Sequence, residues 1–291
     1  MRFVCSAIIF TLTSFSLPVM AKDEAVVSLA KTSKWEMKYD LDSCHLLSKF
    51  GQGEQTATMR ITRFEPGSSF DLMLYGPMFG SEHAWQHAKI QFGEMPQFGV
   101  ESVGAGATTE KLPFVILTGL RLDADGISDA KAHQPDVSQS VELKTTSITI
   151  RLPQGKAYRL ETGSLGASMA AMRTCTDDLV AHWGYDPATM AHLSKPATPI
   201  GSPARWVTSA DVPMAALSAR QNGMIKFRLD VDETGKINEC HVLRRFKPNE
   251  FDVLTCKLIL TRGKFTPALD QAGAPVKSFY ISAVRFVIPS D

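Results

Sequence analysis

The sequence predicts an α+β protein in two units. The first is a β-rich N-terminal domain that ends in a helix. The second is a small α-β-β-α-β domain with an antiparallel sheet. Three observations predict this. Runs of β-branched and apolar residues recur through the first half. One segment, 165–183, instead repeats its apolar residues at three- and four-residue steps. A proline-rich stretch at 186–204 then leads into a part where period-two alternation takes over.

The chain has 291 residues, enough for two domains of ordinary size. It is 44 % hydrophobic and 21 % charged, with a formal net charge of +1. Those values read as globular, and no basic patch points to nucleic acid. Residues 1–21 read as a secretory signal peptide. Arg2 is the basic start, Phe3 begins an uncharged run, Pro18 breaks it, and Val19 and Ala21 are the small residues before cleavage. The apolar run is short for a span of about 20 residues. The expected location is therefore the periplasm; an uncleaved anchor is the alternative.

Cys5 leaves with the leader. Cys44, Cys175, Cys240 and Cys256 remain, and an even number in an oxidising compartment implies two disulfides. Three pairings are open. No Cys-x-x-Cys occurs, which argues against a thioredoxin-like site or a zinc ribbon.

In the first domain, 22–185, strands are expected at 56–64, 70–75 and 114–122, with a hairpin over 141–160 turning at Pro153–Lys156. The helix at 165–183 faces inward with Leu165, Met169, Met172, Leu179 and Trp183, and Gly184 stops it. Cys44 near an early strand and Cys175 on this helix could tie the first strand to the last helix. Closing so long a loop is worth about 5 kcal/mol in the chain-entropy model. The stretch 186–204 carries Pro187, Pro196, Pro199 and Pro203 and reads as an extended, semi-rigid linker reaching ~60 Å.

The remainder, 205–291, contains a loop from Asp230 to His241 with most of a calcium-hand spacing. Its flanks decide against that. Ile225, Phe227, Leu229 and Val231 alternate with Lys226, Arg228, Asp230 and Asp232, a strand where a calcium hand needs a helix. The loop also ends at His241, where a bidentate carboxylate is needed. Asp230 and Asp232 then fall on the strand's solvent face, Gly235 supplies the positive φ of a tight turn, and 236–244 returns as the second strand. A helix at 213–221 precedes the hairpin. Asn249 caps a second helix running to Arg262 with Phe251, Leu254, Leu258 and Ile259 inward. Residues 279–288 form the last strand. A Cys240–Cys256 bond would clip helix to sheet, worth about 3 kcal/mol.

This order and its residues resemble the C-terminal domain of TonB-family proteins. The matching pieces are Val212-Pro213, Gly223 to Val231, Gly235-Lys-Ile-Asn-Glu-Cys-His-Val, Phe251-Asp-x-x-Thr-Cys256, Phe265-Thr-Pro-Ala268, Asp270 and Gly273-Ala-Pro-Val276. The sequence departs from the family where Arg245-Phe246-Lys247 stands for a Ser-Ser-Gly turn and Val212-Pro213 for Tyr-Pro. In the first domain, 35–44, Phe50-Gly51 and 173–184 resemble the N-terminal halves of some bacterial envelope proteins that end in such a domain; no activity transfers from them.

The resemblance implies a non-enzymatic protein that binds an envelope partner, an outer-membrane receptor or a periplasmic segment, by strand addition. The expected edge strand is Phe279, Tyr280, Ile281, Ser282, Ala283, Val284, Arg285 and Phe286. Exchange of strands between copies would give a dimer. The alternative is a TonB-type energy transducer for outer-membrane transport with a retained N-terminal anchor. A third reading is an envelope enzyme whose site lies in the first domain.

No catalytic residue, cofactor or metal is expected. Gly-x-Ser-x-Gly, a phosphate loop and His-Glu-x-x-His are absent. His83 and His87 stand four apart without an evident third ligand and read as an amphipathic turn. Asp123-Ala-Asp-Gly126 reads as a surface turn, and Ser164 to Ser168 as a helix start. Arg244, Arg245 and Lys247 form a small basic turn.

Overall fold

The computed structural model describes residues 25–79, 87–100, 103–123, 135–152, 157–220, 222–246 and 250–288. The leader, His83 and Ala124 to Gly126 lie outside them. The first unit contains β1 (Val26–Ala30), β2 (Glu36–Asp40), β3 (Ser43–Phe50), β4 (Ala57–Arg63), β5 (Phe70–Tyr75), β6 (Ala88–Phe92), β7 (Phe98–Val100), β8 (Val103–Ala107) and β9 (Pro113–Leu120). It ends with α1 (Gln139–Lys144), β10 (Ile148–Arg151), β11 (Ala157–Glu161) and α2 (Gly166–His182). Two sheets form, ordered β1-β11-β10-β6-β7 and β2-β3-β4-β5-β9-β8. Every pair is antiparallel except β1 with β11.

One core joins both sheets to α2. Strand alternation sends Cys44, Leu46 and Phe50 of β3, Met59 and Ile61 of β4, and Ile148 and Ile150 of β10 into it. Leu165, Met169, Met172 and Leu179 bring in the helix, as their spacing predicts. Cys44 and Cys175 are bonded across a separation of 131 residues, which fixes α2 to β3. The expected hairpin begins late: Val141 to Lys144 belong to α1 rather than to a strand. The reason is local. Glu142 is buried and paired with Arg173 at 2.6 Å, an arrangement that a strand alternating Val141 and Leu143 inward would not make.

The C-terminal unit adds α3 (Pro187–Ala191), β12 (Thr198–Pro199), α4 (Met214–Ser218), β13 (Gly223–Val231), β14 (Ile237–Phe246), α5 (Glu250–Arg262), β15 (Phe265–Thr266), β16 (Ala268–Leu269), β17 (Pro275–Val276) and β18 (Ser278–Phe286). Its main sheet is ordered β14-β13-β18, all antiparallel. Ile225, Phe227, Leu229 and Val231 form the buried face against α5, and Cys240 is bonded to Cys256. The helix turns Phe251, Thr255 and Ile259 fully inward, while Leu254 and Leu258 are half-buried, so the inner face is rotated from the expected one. The first helix is also shorter than 213–221, with Met214 exposed.

The loop at 230–241 is a turn. Asp232 Oδ1 accepts hydrogen bonds from the Thr234 amide, the Thr234 hydroxyl and the Lys236 amide. Gly235 has φ +84°, and a Cβ there would lie 2.0 Å from the Phe265 carbonyl oxygen. Only glycine fits both demands.

The stretch read as a free linker is held along the C-terminal unit. Asp186 caps α3, Ser194 and Lys195 donate to the Leu269 carbonyl, β12 pairs with β15, and the Ile200 amide donates to Lys264 O at 2.7 Å. Prolines remove donors but leave the intervening amides free to pair at a sheet edge. Trp206, just beyond, is buried against Phe265.

Candidate functional site

Two features mark the C-terminal sheet: an edge at β18 and a charged seam under β13 and β14. The strand hydrogen-bonds to β13 on one side, and among the described residues no strand pairs with its other side. Tyr280 points into the core beside Trp206 and Phe265, and Phe286 stacks on Phe251 at 4.0 Å. Ala283 and Arg285 are exposed. All eight residues expected from the sequence, Phe279 to Phe286, therefore lie on an edge strand.

The polar face of β13 was expected to meet solvent. It meets the first unit instead. Asp71 on β5 is 2 % exposed and receives Lys226 Nζ at 3.2 Å together with the Arg244 guanidinium. Its other oxygen accepts the Gly119 amide at 2.8 Å. Burial alone would raise this carboxyl, but Arg244, Lys226 and the Gly119 hydrogen bond overcome it and hold the group below its ordinary range. The Phe64 ring lies under both cations, 4.5 Å from Lys226 and 5.0 Å from Arg244. Arg228 is nearly as buried. It donates to Asp42 at 3.3 Å and Asp230 at 3.0 Å, and its guanidinium sits 4.0 Å from the Trp183 ring centroid.

Arg244 and Arg245 stand on β14 rather than in a turn: Arg244 is in the seam, Arg245 is exposed and pairs with Asp252 at 2.7 Å, and Lys247 lies outside the described residues. Arg228 and Asp71 carried no signal of their own in the sequence. Their contacts across the seam come from far along the chain: Asp42 is 186 residues from Arg228, and Arg244 is 173 from Asp71.

Asp230, Glu239 and His241 offer oxygen and nitrogen atoms within 4.8 Å of one another and are the described residues that could hold a metal ion. His241 Nε2 lies 2.9 Å from Asp230 and 3.2 Å from Glu239. Arg228 already supplies a positive charge to Asp230.

Glu65 lies in the turn between β4 and β5, near enough to Lys226 to feel its charge. Burial pushes its carboxyl up to about 7, against the pull of Lys226. The ordinary value is 4.5. Folding therefore takes up a proton between those values, and the stability present below the lower one is lost as pH rises through the higher. Between pH 5 and 8 the protein is expected to lose at most about 3 kcal/mol from this group. Glu65→Gln should flatten the profile across that window in urea titrations. Parallel profiles for the two proteins would contradict the assignment.

Residues 211–288 match the family model of the Gram-negative bacterial TonB protein C-terminal. The match lies within the C-terminal unit and leaves the first unit uncovered. No curated protein matches the chain. Among the described residues, no helix is long and apolar enough to cross a membrane.

Proposed function

We propose that this is a periplasmic, non-enzymatic binding protein whose TonB-like unit captures an envelope protein by adding that partner's strand to β18. The observation that carries the reading is the one-sided pairing of β18, an outer strand of its sheet as β14 also is. An unpaired strand edge presents a row of amides and carbonyls, and an extended segment can satisfy them. Exposed Ala283 and Arg285 leave room beside that row. The family match to 211–288 supports an envelope setting. The match also favours the energy-transducer alternative, which requires a retained anchor. The intact mass of the chain from the envelope separates the two: a start at Lys22 fits a diffusing protein, and retention of Met1 fits the transducer.

Strand addition is tested at Ser282 and Ala283. Successive residues of an antiparallel strand direct their amides to opposite neighbours. Of Ser282→Pro and Ala283→Pro, only one removes an outward donor. A photo-reactive residue at position 285 is expected to capture the partner in cells. That product should vanish in the variant lacking the outward donor, with both disulfides still formed on peptide mapping. Equal capture in both variants would overturn strand addition.

A further inference from the structure

We propose that the first unit braces the edge strand: Trp183 and Tyr185 are positioning residues that hold the start of β18 in its own sheet and so keep the edge ordered for an incoming strand. Its functional half rests on the reading of β18 as the capture edge. Its structural half does not.

The two ends of β18 are secured differently. At its end, Phe286 stacks on Phe251 of α5, and the Ile288 amide donates to Asn222 Oδ1 at 2.8 Å. Both contacts lie within the C-terminal unit. At its start, Phe279 packs edge-on between Trp183 at 5.3 Å and Tyr185 at 5.4 Å, and the Tyr185 hydroxyl donates to the Ser278 carbonyl at 3.1 Å. These contacts come from the segment that follows α2. The Trp183 ring is held in turn by the buried guanidinium of Arg228 on the neighbouring strand. One aromatic pair thus grips β18 and β13 together.

The grip is anchored on rigid structure. Gly184 takes φ +86°, the left-handed end of α2, and the Gly184 and Tyr185 amides bond back to Ala181 O and Val180 O. This reversal brings Trp183 and Tyr185 to the same phenylalanine. Upstream, Cys175 ties α2 to β3. A continuous path therefore runs from the Cys44–Cys175 bond through α2 and the aromatic pair to the first residues of the edge strand.

A strand paired on one side of a three-stranded sheet is the element that opens first. With its start pinned, β18 is ordered before the partner arrives, and less ordering cost falls on binding. The path also gives the first unit a role in capture without any contact to the partner.

The test is amide hydrogen exchange on the full chain. Phe279→Ala removes both ring contacts without altering the first unit, and Tyr185→Phe keeps the ring and removes the hydroxyl's interactions with the Ser278 carbonyl and Asp230. Exchange over residues 279–284 is expected to rise at least about tenfold in Phe279→Ala and severalfold in Tyr185→Phe, while α5 and β14 keep their wild-type rates. Unchanged rates over 279–284 in both variants would overturn the brace. So would an equal rise across β18, β14 and α5, which reports general loosening. The photo-reactive residue at 285 should capture less partner as the protection of β18 falls; undiminished capture would overturn the positioning role. The exchange measurement needs no partner, so failure of the brace appears there, and failure of strand addition appears in the proline pair.

Discussion

Serine at both Cys44 and Cys175 is expected to lower the stability of the chain by about 5 kcal/mol, the largest single effect in the molecule. The bond closes a loop of 131 residues, and both cysteines are buried in the main core between β3 and α2. The loss acts through the unfolded chain, which gains freedom, and not through a lost contact alone. For a protein of this size it corresponds to roughly 10–20 °C in the melting temperature. Calorimetry of the oxidised protein and the double variant measures it. The same change should raise exchange over 279–284, because the residues that hold β18 directly follow α2. The Cys240–Cys256 bond spans only 16 residues, and its removal should cost less, about 3 kcal/mol. Equal losses at the two sites would contradict the chain-entropy account.

Alanine at Asp71 should cost about 3–5 kcal/mol and act on the seam. The side chain is buried, and Lys226 and Arg244 share its carboxylate from the other unit. Without it, two cations stay in a confined place over the Phe64 ring, lacking the charge that offset their desolvation. The penalty comes from this imbalance more than from the lost pair. Lys226→Met and Arg244→Met added to Asp71→Ala should therefore recover a large part of the stability, since replacing a whole buried ion cluster with apolar groups is often near neutral. Urea unfolding of the three proteins provides the cycle. If the triple variant is weaker than Asp71→Ala, the contribution of the seam is other than electrostatic.

Much of the C-terminal unit was legible in its sequence. Ile225 to Val231 alternate cleanly, Gly235 marks the turn, and the ordered pieces around Phe265 and Gly273 carry the family resemblance. The residues of the edge strand could be listed for the same reason. Alternation gives which side chains share a face, and not what covers that face. Lys226, Arg228 and Asp230 looked like a solvent face because polar residues in period two usually are one. Their burial depends on Asp42, Asp71 and Trp183, which fold against them from far along the chain. The 186–204 stretch misled in a similar way. Its prolines mark an extended backbone correctly, but a polyproline-like segment pairs at an edge as readily as it spans a gap. At Val141 to Lys144 the run was too short for periodicity to separate strand from helix. The ion pair of Glu142 with Arg173 settles it only in three dimensions.

The seam changes which surfaces the TonB-like unit presents. One face of its sheet carries α5, the other lies on the first unit, and among the described residues the outer edges are those of β14 and β18. The edge of β18 is the one proposed for an incoming segment. The first unit then fixes where and how firmly the edge is held, and its fusion to the TonB-like unit has a mechanical reason.

The most direct test is amide exchange on β18 with the photo-captured partner in place. Strand addition should slow alternate amides between Ile281 and Arg285 by orders of magnitude, because only the outward ones gain new acceptors. The inward ones, already bonded to β13, should change little. Uniform rates along β18 in the complex, with protection appearing on α5 or the first unit instead, would contradict capture at this edge.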